Sequence, residues 1–547
     1  MASILDLPVE LADTIIEYLS IDDMVNLQRS CKFFRNVLLI KMWTHVHLDC
    51  TAQRDTRNQK VTASNSIGHT DIHYHNREKV VTPLYHKYGN RSGGYIKLDV
   101  SNIDKLCEGV LRQDYANVFS WVKVLTLNAP YYNTSELEDV ELGSPADLKG
   151  VDGQTLIHWY LNHVVTKKFV NLQLIEAIVD INEKLSTKPV TQYPPLLTNL
   201  LTTFPHVETN ISVHLEKNWA PNPIEKMTFD NLKVLRISCD GLDDVRRFCG
   251  RFLPRSIERF DLVDYSEIDA SALKEFFSRT DKLRSVSLKW GNVSNPESID
   301  WIPKTVTNLQ MCQFDDSRPV QNPVDALNVT YFKSYTRLGQ VFQALRFPNL
   351  ERLSVQGPVD NEAPLVHAVA EAFQSSPYIR QLKCRRLRVD FVAQLLSNPI
   401  VSGRVKSLVV QPNHSVDNYR QFCQLARACS NIDFLVVNMD MISKWNIPMC
   451  IKKFLRFCPN LTTLYIEHPY VTPNRRAGDH KWLLKINQEF VYDDYSKIRV
   501  DPRWAYRIDI DEFKKIHDIN DIAAFNPAPI QSSIYPVDGI TEDSMVC

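Results

Sequence analysis

From residue 232 onward one spacing of apolar positions returns along the chain: apolar, two free positions, apolar, one free position, apolar. It reads LKVLRI from Leu232, IERFDL from Ile257, LRSVSL from Leu283, VTNLQM from Val306 and VDALNV from Val324. It continues as LERLSV from Leu350, IRQLKC from Ile379, VKSLVV from Val405, IDFLVV from Ile432 and LTTLYI from Leu461. The copies stand roughly 18 to 29 residues apart, a period typical of stacked supersecondary units. Alternation at the end of each copy predicts a short strand, because side chains alternate faces along a strand. One such strand cannot bury its apolar face alone, whereas stacked copies share one core. Leu235, Leu353, Leu382, Leu408, Leu435 and Leu464 are the expected core of that sheet. Helical spacing fills the intervals, as at Leu273, Phe276 and Phe277, at Val366, Val369, Ala370 and Phe373, and at Phe422, Leu425, Ala426 and Cys429. The phrases FPNLERL, CSNIDFL and CPNLTTL lead into successive strands in similar fashion.

Upstream, VKVLTL from Val122 predicts an earlier strand and VETNISV near Val207 another. Helices are expected between them over 154–165 and 169–186, followed by a stretch containing Pro189, Pro194 and Pro195. Residues 51–94 are polar, rich in Asn, Thr, Ser and His, and end in GNRSGG, the composition of a loop or linker. After Pro469 the repeat breaks, and Trp482, Leu483, Leu484 and Ile486 predict a capping segment. Residues 516–547 hold five acidic residues and no Lys or Arg, with Pro527, Pro529 and Pro536 among them. Such a tail is expected to be disordered or to lie extended across the domain.

Residues 5–43 carry a different, helical pattern: Leu7, Leu11, Ile15, Ile16 and Leu19, then Val25, Leu27 and Cys31, then Phe33, Phe34, Val37, Leu38 and Leu39, closing at Trp43. Pro8 suits a first helical turn and Ser20 suits the cap of a second helix. About forty residues are near the lower limit for an independent core, so this apolar surface needs a neighbour. The segment resembles an F-box. Its Leu-Pro-x-Glu-Leu opening is Leu7, Pro8, Glu10 and Leu11, and Ile15, Ile16, Tyr18, Leu19, Asp22, Leu27, Cys31, Phe34, Arg35 and Trp43 fill later positions in order. The resemblance implies binding of a Skp-type adaptor and, through it, a cullin-RING ubiquitin ligase. It assigns adaptor contact to Leu7, Pro8, Leu11, Ile15, Ile16, Leu19, Leu27 and Phe34.

The later repeats resemble the leucine-rich repeats of F-box proteins. The expected fold is therefore α/β: a three-helix F-box followed by an irregular leucine-rich-repeat solenoid, with parallel strands on the concave face and helices on the convex face. The expected divisions are 1–46 for the F-box, 47–94 for the linker, 95–469 for the solenoid (clearest over 232–469), 470–515 for the cap and 516–547 for the tail. One departure is plain. The Asn that follows the strand in such repeats is mostly missing, and only Asn413, Asp240 and Asp440 stand where it belongs.

Composition narrows the function. The chain has 547 residues, 44% of them hydrophobic, and a net charge of −1, so nothing global favours nucleic acid or an anionic membrane as partner. No secretory signal and no run of 18 or more apolar residues is visible, and Cys547 is not placed for prenylation. Twelve scattered cysteines, among them Cys249, Cys423 and Cys429, read as reduced core residues of an intracellular protein, cytoplasmic and/or nuclear. His69, His73, His75 and His86 form the one metal-like group, in a polar loop without nearby Cys. No P-loop, dinucleotide fingerprint, GxSxG or HExxH pattern occurs, so no cofactor or metal and no catalysis are expected. The expected role is that of the substrate-recognition subunit of an SCF-type ubiquitin ligase, with an unknown target protein as partner. A scaffold acting outside a ligase and an enzyme concealed in 51–231 are the other classes considered.

The candidate target surface follows from strand alternation. Residues between the core positions face the concave side, and they change from basic and polar to aromatic and aliphatic along the array. Lys383 and Arg385 come from the basic run KCRRLR, and Phe434, Val436 and Tyr465 from the next strands. Arg and aromatic anchors dominate protein interfaces, which makes these five the candidate target contacts. Cover by the tail or cap would explain the apolar residues at that end equally well.

Overall fold

The computed structural model describes residues 44–49, 96–99, 103–112, 118–130, 142–151, 153–181, 202–215, 231–239, 255–263, 267–294, 301–314, 324–334, 341–342, 345–357, 363–411, 419–438, 447–467, 483–485, 505–508 and 510–511. The N-terminal helical pattern, with Leu7, Pro8, Leu11, Ile15, Ile16, Leu19, Leu27 and Phe34, lies outside the described residues. So do His69, His73, His75, His86 and the segment 516–547. The chain divides into two compact units near Gly291 and Asn292, and Asp269–Lys274 belongs with the second.

The first unit is a parallel sheet. Its strands are β1 His45–Asp49, β2 Ile96–Asp99, β3 Val124–Pro130, β4 Leu174–Ile181, β5 Glu208–Leu215, β6 Leu232–Ser238, β7 Arg259–Val263, the short β8 Glu267–Asp269 and β9 Ser285–Ser294. β1 crosses the expected boundary at 46/47 and lies between β2 and β3, with Val46 opposite both Ile96 and Leu125. A continuous row of buried side chains runs Leu127, Ala177, Ile211, Leu235, Phe260 and Val286. Helices Ile103–Leu111 and Gly153–Tyr160 cover one side of β1, β3 and β4, with Cys107, Val110, Leu156, Trp159 and Tyr160 in the shared core.

The helix expected over 154–165 is present, but the one expected over 169–186 is not. Helical structure stops at Lys168, and Leu174–Ile181 forms β4. The residues explain the outcome. LIEAIVDI is rich in β-branched side chains, which fit a pleated surface better than a helix. Leu172, Ile175 and Ala177 also occupy the repeat's own apolar spacing and are buried.

The second unit repeats the design. Its main sheet holds β10 Asn308–Phe314, with β11 Val324–Asp325 standing apart, then β12 Tyr331–Ser334. Among the described residues β13 Leu345–Arg346 pairs with β11 alone, and β14 Arg352–Gln356, β15 Gln381–Arg385, β16 Ser407–Gln411, β17 Phe434–Asn438 and β18 Thr463–Glu467 continue the parallel run. Leu309, Phe332, Leu353, Leu382, Leu408, Leu435 and Leu464 stand side by side across seven strands, all buried. Beyond β18 the direction reverses: β19 Leu483–Lys485 and β20 Ala505–Ile508 pair antiparallel to each other, and β20 pairs antiparallel to β18.

The copy placed at Val324 is corrected. Val324 sits in the small two-stranded sheet, and the main-sheet strand is β12. There Val329, Phe332 and Ser334 take the three repeat slots, with the polar Ser334 concealing the match. Steps of about 23 and 21 residues then replace the anomalous short one.

Helices Ala363–Ser375, Val389–Leu396, Pro399–Arg404, Tyr419–Ala428 and Ile447–Phe457 link these strands; Val389–Leu396 packs between Ala363–Ser375 and Tyr419–Ala428, and Tyr419–Ala428 packs in turn on Ile447–Phe457. Val369, Ala372 and Phe373 are buried, and Phe422 meets Phe454 edge-on at 5.1 Å between ring centroids.

The missing turn Asn has a counterpart on the other side of the strand. Asn171, Asn231, Asn328, Asn349 and Asn431 each stand one residue before the first apolar slot of a repeat. Each donates its side-chain amide to a carbonyl of the preceding repeat. Asn171 bonds Ser120 at 2.6 Å, Asn231 bonds Phe204 at 2.9 Å, Asn349 bonds Leu327 at 2.6 Å and Asn431 bonds Ser402 at 3.1 Å, and Asn328 bonds Lys304. A turn leaves backbone carbonyls unpaired, and these amides supply the donors.

Candidate functional site

In both units one face of the sheet packs on its own core and the other, termed the open face for its place opposite that core, carries the intervening side chains, many of them buried, as Asp261, Ser287, Lys333, Ser354, Val409 and Val436 are. The registers of the second unit place them in rows. One row runs Tyr331, Arg352, Gln381, Ser407, Phe434 and Thr463. The next runs Gln310, Lys333, Ser354, Lys383, Val409, Val436 and Tyr465. A third joins Gln356, Arg385 and Gln411.

The rows divide into a cationic part and an apolar part. Lys333, Arg352, Lys383 and Arg385 occupy three neighbouring strands, and among the described residues no carboxylate stands in these rows from β10 to β16. Arg352 lies over the Tyr331 ring, 5.7 Å from its centroid, a cation–π arrangement. Arg385 Nε donates to Gln411 Oε1 at 2.7 Å. The backbone turns sharply just after β15: Arg386 has φ 53°, a conformation that costs a non-glycine residue roughly 1–2 kcal/mol. Its N–H donates to the Gln411 carbonyl at 2.6 Å. Arg388 pairs with Asp390 at 2.5 Å. Burial pushes the Asp390 carboxyl up, but the Arg388 hydrogen bond and charge outweigh it and hold the group below its ordinary range.

At the other end Val409, Val436 and Tyr465 form a small cluster with Phe434 against it, and the Phe434 and Tyr465 rings lie 5.3 Å apart. All five candidate contacts therefore share one face of β15, β17 and β18. They differ in access: Lys383, Arg385 and Phe434 are half-buried, whereas Val436 is 0% and Tyr465 8% exposed. Sequence reasoning missed Lys333, because its strand was misplaced at Val324. It also passed over Asn308 and Gln310, which ordinary strand alternation after Val306 puts on this face.

Several polar groups here are buried without a bond. Ser354, 0% exposed, and Asn308, 3% exposed, have no hydrogen-bond partner for the Ser354 hydroxyl or for either end of the Asn308 amide. Gln356 Oε1 is also unpaired. The open face of the first unit differs in carrying a carboxylate within its rows. Arg259 forks onto buried Asp261 at 2.9 and 2.5 Å.

Among the described residues no group of three His, Cys, Asp or Glu is placed to hold a metal ion, and no helix is long and apolar enough to cross a membrane. Cys384, Cys429, Cys450 and Cys458 are buried free thiols. Burial pushes the Cys384 and Cys450 thiols up to about 12, and a hydrogen bond with Cys458 together with burial raises Cys429. These thiols are core packing groups, not nucleophiles.

No protein-family model matches the sequence, and no curated protein matches it significantly. Among solved structures, the leucine-rich repeat-containing protein LegL7 from Legionella pneumophila is 14% identical, over 52% of this chain and 90% of that one, with a TM-score of 0.32. The Rad7 and Elc1 complex in yeast is 11% identical, over 67% of this chain and 83% of that one, with a TM-score of 0.26. Superpositions this loose carry no functional argument, and the repeat architecture rests on the strand order and registers above.

Proposed function

We propose that the protein is the substrate-recognition subunit of an SCF-type (Skp–cullin–F-box) E3 ubiquitin ligase. The N-terminal segment binds a Skp-type adaptor through Leu7, Pro8, Leu11, Ile15, Ile16, Leu19, Leu27 and Phe34, and the repeat units hold the target protein. The chain performs no chemistry of its own; it raises the concentration of target lysines near a ubiquitin-conjugating enzyme. The observation that carries the reading is the ordered filling of the F-box positions over 5–43, ahead of a chain that goes on as parallel repeats. The open face of the second unit supports it, since Arg385 and Phe434 are residue types that anchor protein interfaces. Val436 and Tyr465 serve there as the floor beneath Phe434.

Purification of the tagged full chain from its native cells, followed by mass spectrometry, tests the reading. Recovery of adaptor and cullin together supports a ligase subunit. Adaptor without cullin points to a scaffold acting outside a ligase, and absence of both overturns the proposal.

A further inference from the structure

We infer that Cys429 and Cys458 form a reversible disulfide, made by a peroxide oxidant, that staples the last two parallel repeats to each other.

The two cysteines are the same point of two successive repeats. Cys429 opens CSNIDFL and Cys458 opens CPNLTTL, each three residues before the first apolar slot, Ile432 or Leu461. Both follow a helix in the same way: the Cys429 N–H donates to the Leu425 carbonyl at 3.0 Å and the Cys458 N–H to the Phe454 carbonyl at 2.8 Å. Both then close the same turn, with Ile432 donating to the Cys429 carbonyl at 3.0 Å and Leu461 to the Cys458 carbonyl at 3.1 Å. The strands that follow are in register, Leu435 opposite Leu464. Equivalent points of neighbouring repeats are displaced by one strand spacing, about 5 Å, and a disulfide needs Cα atoms about 4.4–6.8 Å apart. The side chains agree. Cys458 Sγ donates to the Ala426 carbonyl at 3.6 Å, so it reaches back to the preceding repeat, and it shares a hydrogen bond with the Cys429 thiol. Phe347, Ser376 and Ser402 hold this position in earlier repeats of the unit, so packing there does not require sulfur.

In the closed fold neither thiol attacks anything, because Cys429 is 0% and Cys458 2% exposed. The bond forms during local opening. β17 and β18 end the parallel run, and the end of a repeat array, with a parallel neighbour on one side only, opens more readily than its middle. In the opened repeats one thiolate attacks hydrogen peroxide: an S–O bond forms, the O–O bond breaks and water leaves, giving a sulfenic acid. The second thiol attacks that sulfur: the S–S bond forms, the S–O bond breaks and a second water leaves. Two thiols are oxidised, one peroxide is reduced, and a dithiol reductant reverses the result. Phe434 and Tyr465, with rings 5.3 Å apart, lie on the strands that the two cysteines lead into. The staple therefore fixes the spacing of these two rings; that consequence for target contact rests on the reading of the open face, whereas the bond itself does not.

Treatment of the purified full chain with hydrogen peroxide, followed by alkylation and mass spectrometry of a non-reduced digest, tests the staple. Peroxide is raised until Cys423, a half-buried thiol, is oxidised, which shows that the oxidant has reached the chain. The expected product is a Cys429–Cys458 peptide from within one chain, removed by dithiothreitol and formed faster in urea below the unfolding midpoint, where opening is more frequent. Oxidation should lower the unfolding equilibrium constant of the native protein at least about tenfold and leave that of Cys429→Ala and of Cys458→Ala unchanged. Oxidised Cys423 without the linked peptide overturns the inference, and so does a dominant link from either cysteine to any other thiol. A linked peptide with no gain in stability overturns the stapling. The linked peptide is read on the native chain, so the inference is tested even if a variant fails to fold. Neither adaptor nor target enters the experiment, so its failure leaves the ligase reading standing, and failure of that reading leaves the bond.

Discussion

The side-chain amide of Asn349 donates to the main-chain carbonyl of Leu327 at 2.6 Å, tying the approach to one strand to the loop of the repeat before it. The same relation links Asn431 to Ser402 three strands further on. Replacement of Asn349 by Ala should cost about 1 kcal/mol, the usual net worth of such a bond. Asn431→Ala should cost a similar amount, and the double variant should show the sum, because the sites share no partner. Asn349→Asp should not rescue stability, since the carbonyl requires a donor. Urea midpoints of the native protein and the four variants check this, and recovery in the Asp variant would remove the hydrogen bond as the cause.

Phe332 is the better core residue of the pair Phe332 and Val324. It is fully buried and stands between Leu309 and Leu353. Phe332→Ala should destabilise by about 3–5 kcal/mol, and Leu382→Ala by about 2–5 kcal/mol. Val324→Ala, in the separate two-stranded sheet, should cost well under half the Phe332 value. Equal losses at the two positions would restore Val324 to the main repeat.

Cys384 offers a pH signature. Burial raises its thiol from the ordinary 9.0 to about 12, so the fold favours the neutral form. Its contribution is complete below the unfolded value near 9 and is lost as pH climbs toward 12. Between pH 8 and pH 10.5 the stability of the native protein should therefore fall more steeply than that of Cys384→Ala. Parallel curves would show that the thiol is not held neutral by the fold. Native protein at pH 8 should also resist alkylation at Cys384 until it unfolds.

Much of the repeat architecture is legible in the chain because core leucines recur with fixed spacing: Leu353, Leu382, Leu408, Leu435 and Leu464 all lie where that spacing puts them. The errors have one physical source, which is that the slots tolerate other residues. Ser334 fills a core slot with a hydroxyl and hides β12, while VDALNV satisfies the spacing and leaves the main sheet. Leu174–Ile181 has apolar residues dense enough to satisfy a helical reading, and its β-branched side chains decide for the strand. The candidate face was legible in part. Alternation placed Lys383, Arg385, Phe434, Val436 and Tyr465 together, but sequence does not show that Val436 and Tyr465 close on each other. The Asn ladder was visible in the phrases FPNL and CSNI without its meaning, because a hydrogen bond to another repeat's carbonyl has no local signature.

The most direct test of the central claim is capture of a purified Skp-type adaptor by the full-length protein and by its Leu7→Ala/Pro8→Ala double variant, with the thermal unfolding of both proteins measured alongside. The account predicts stable one-to-one capture by the native chain, loss of capture in the double variant, and the same unfolding midpoint for the repeat units in both. Equal capture by the two proteins, or none by either, would contradict it.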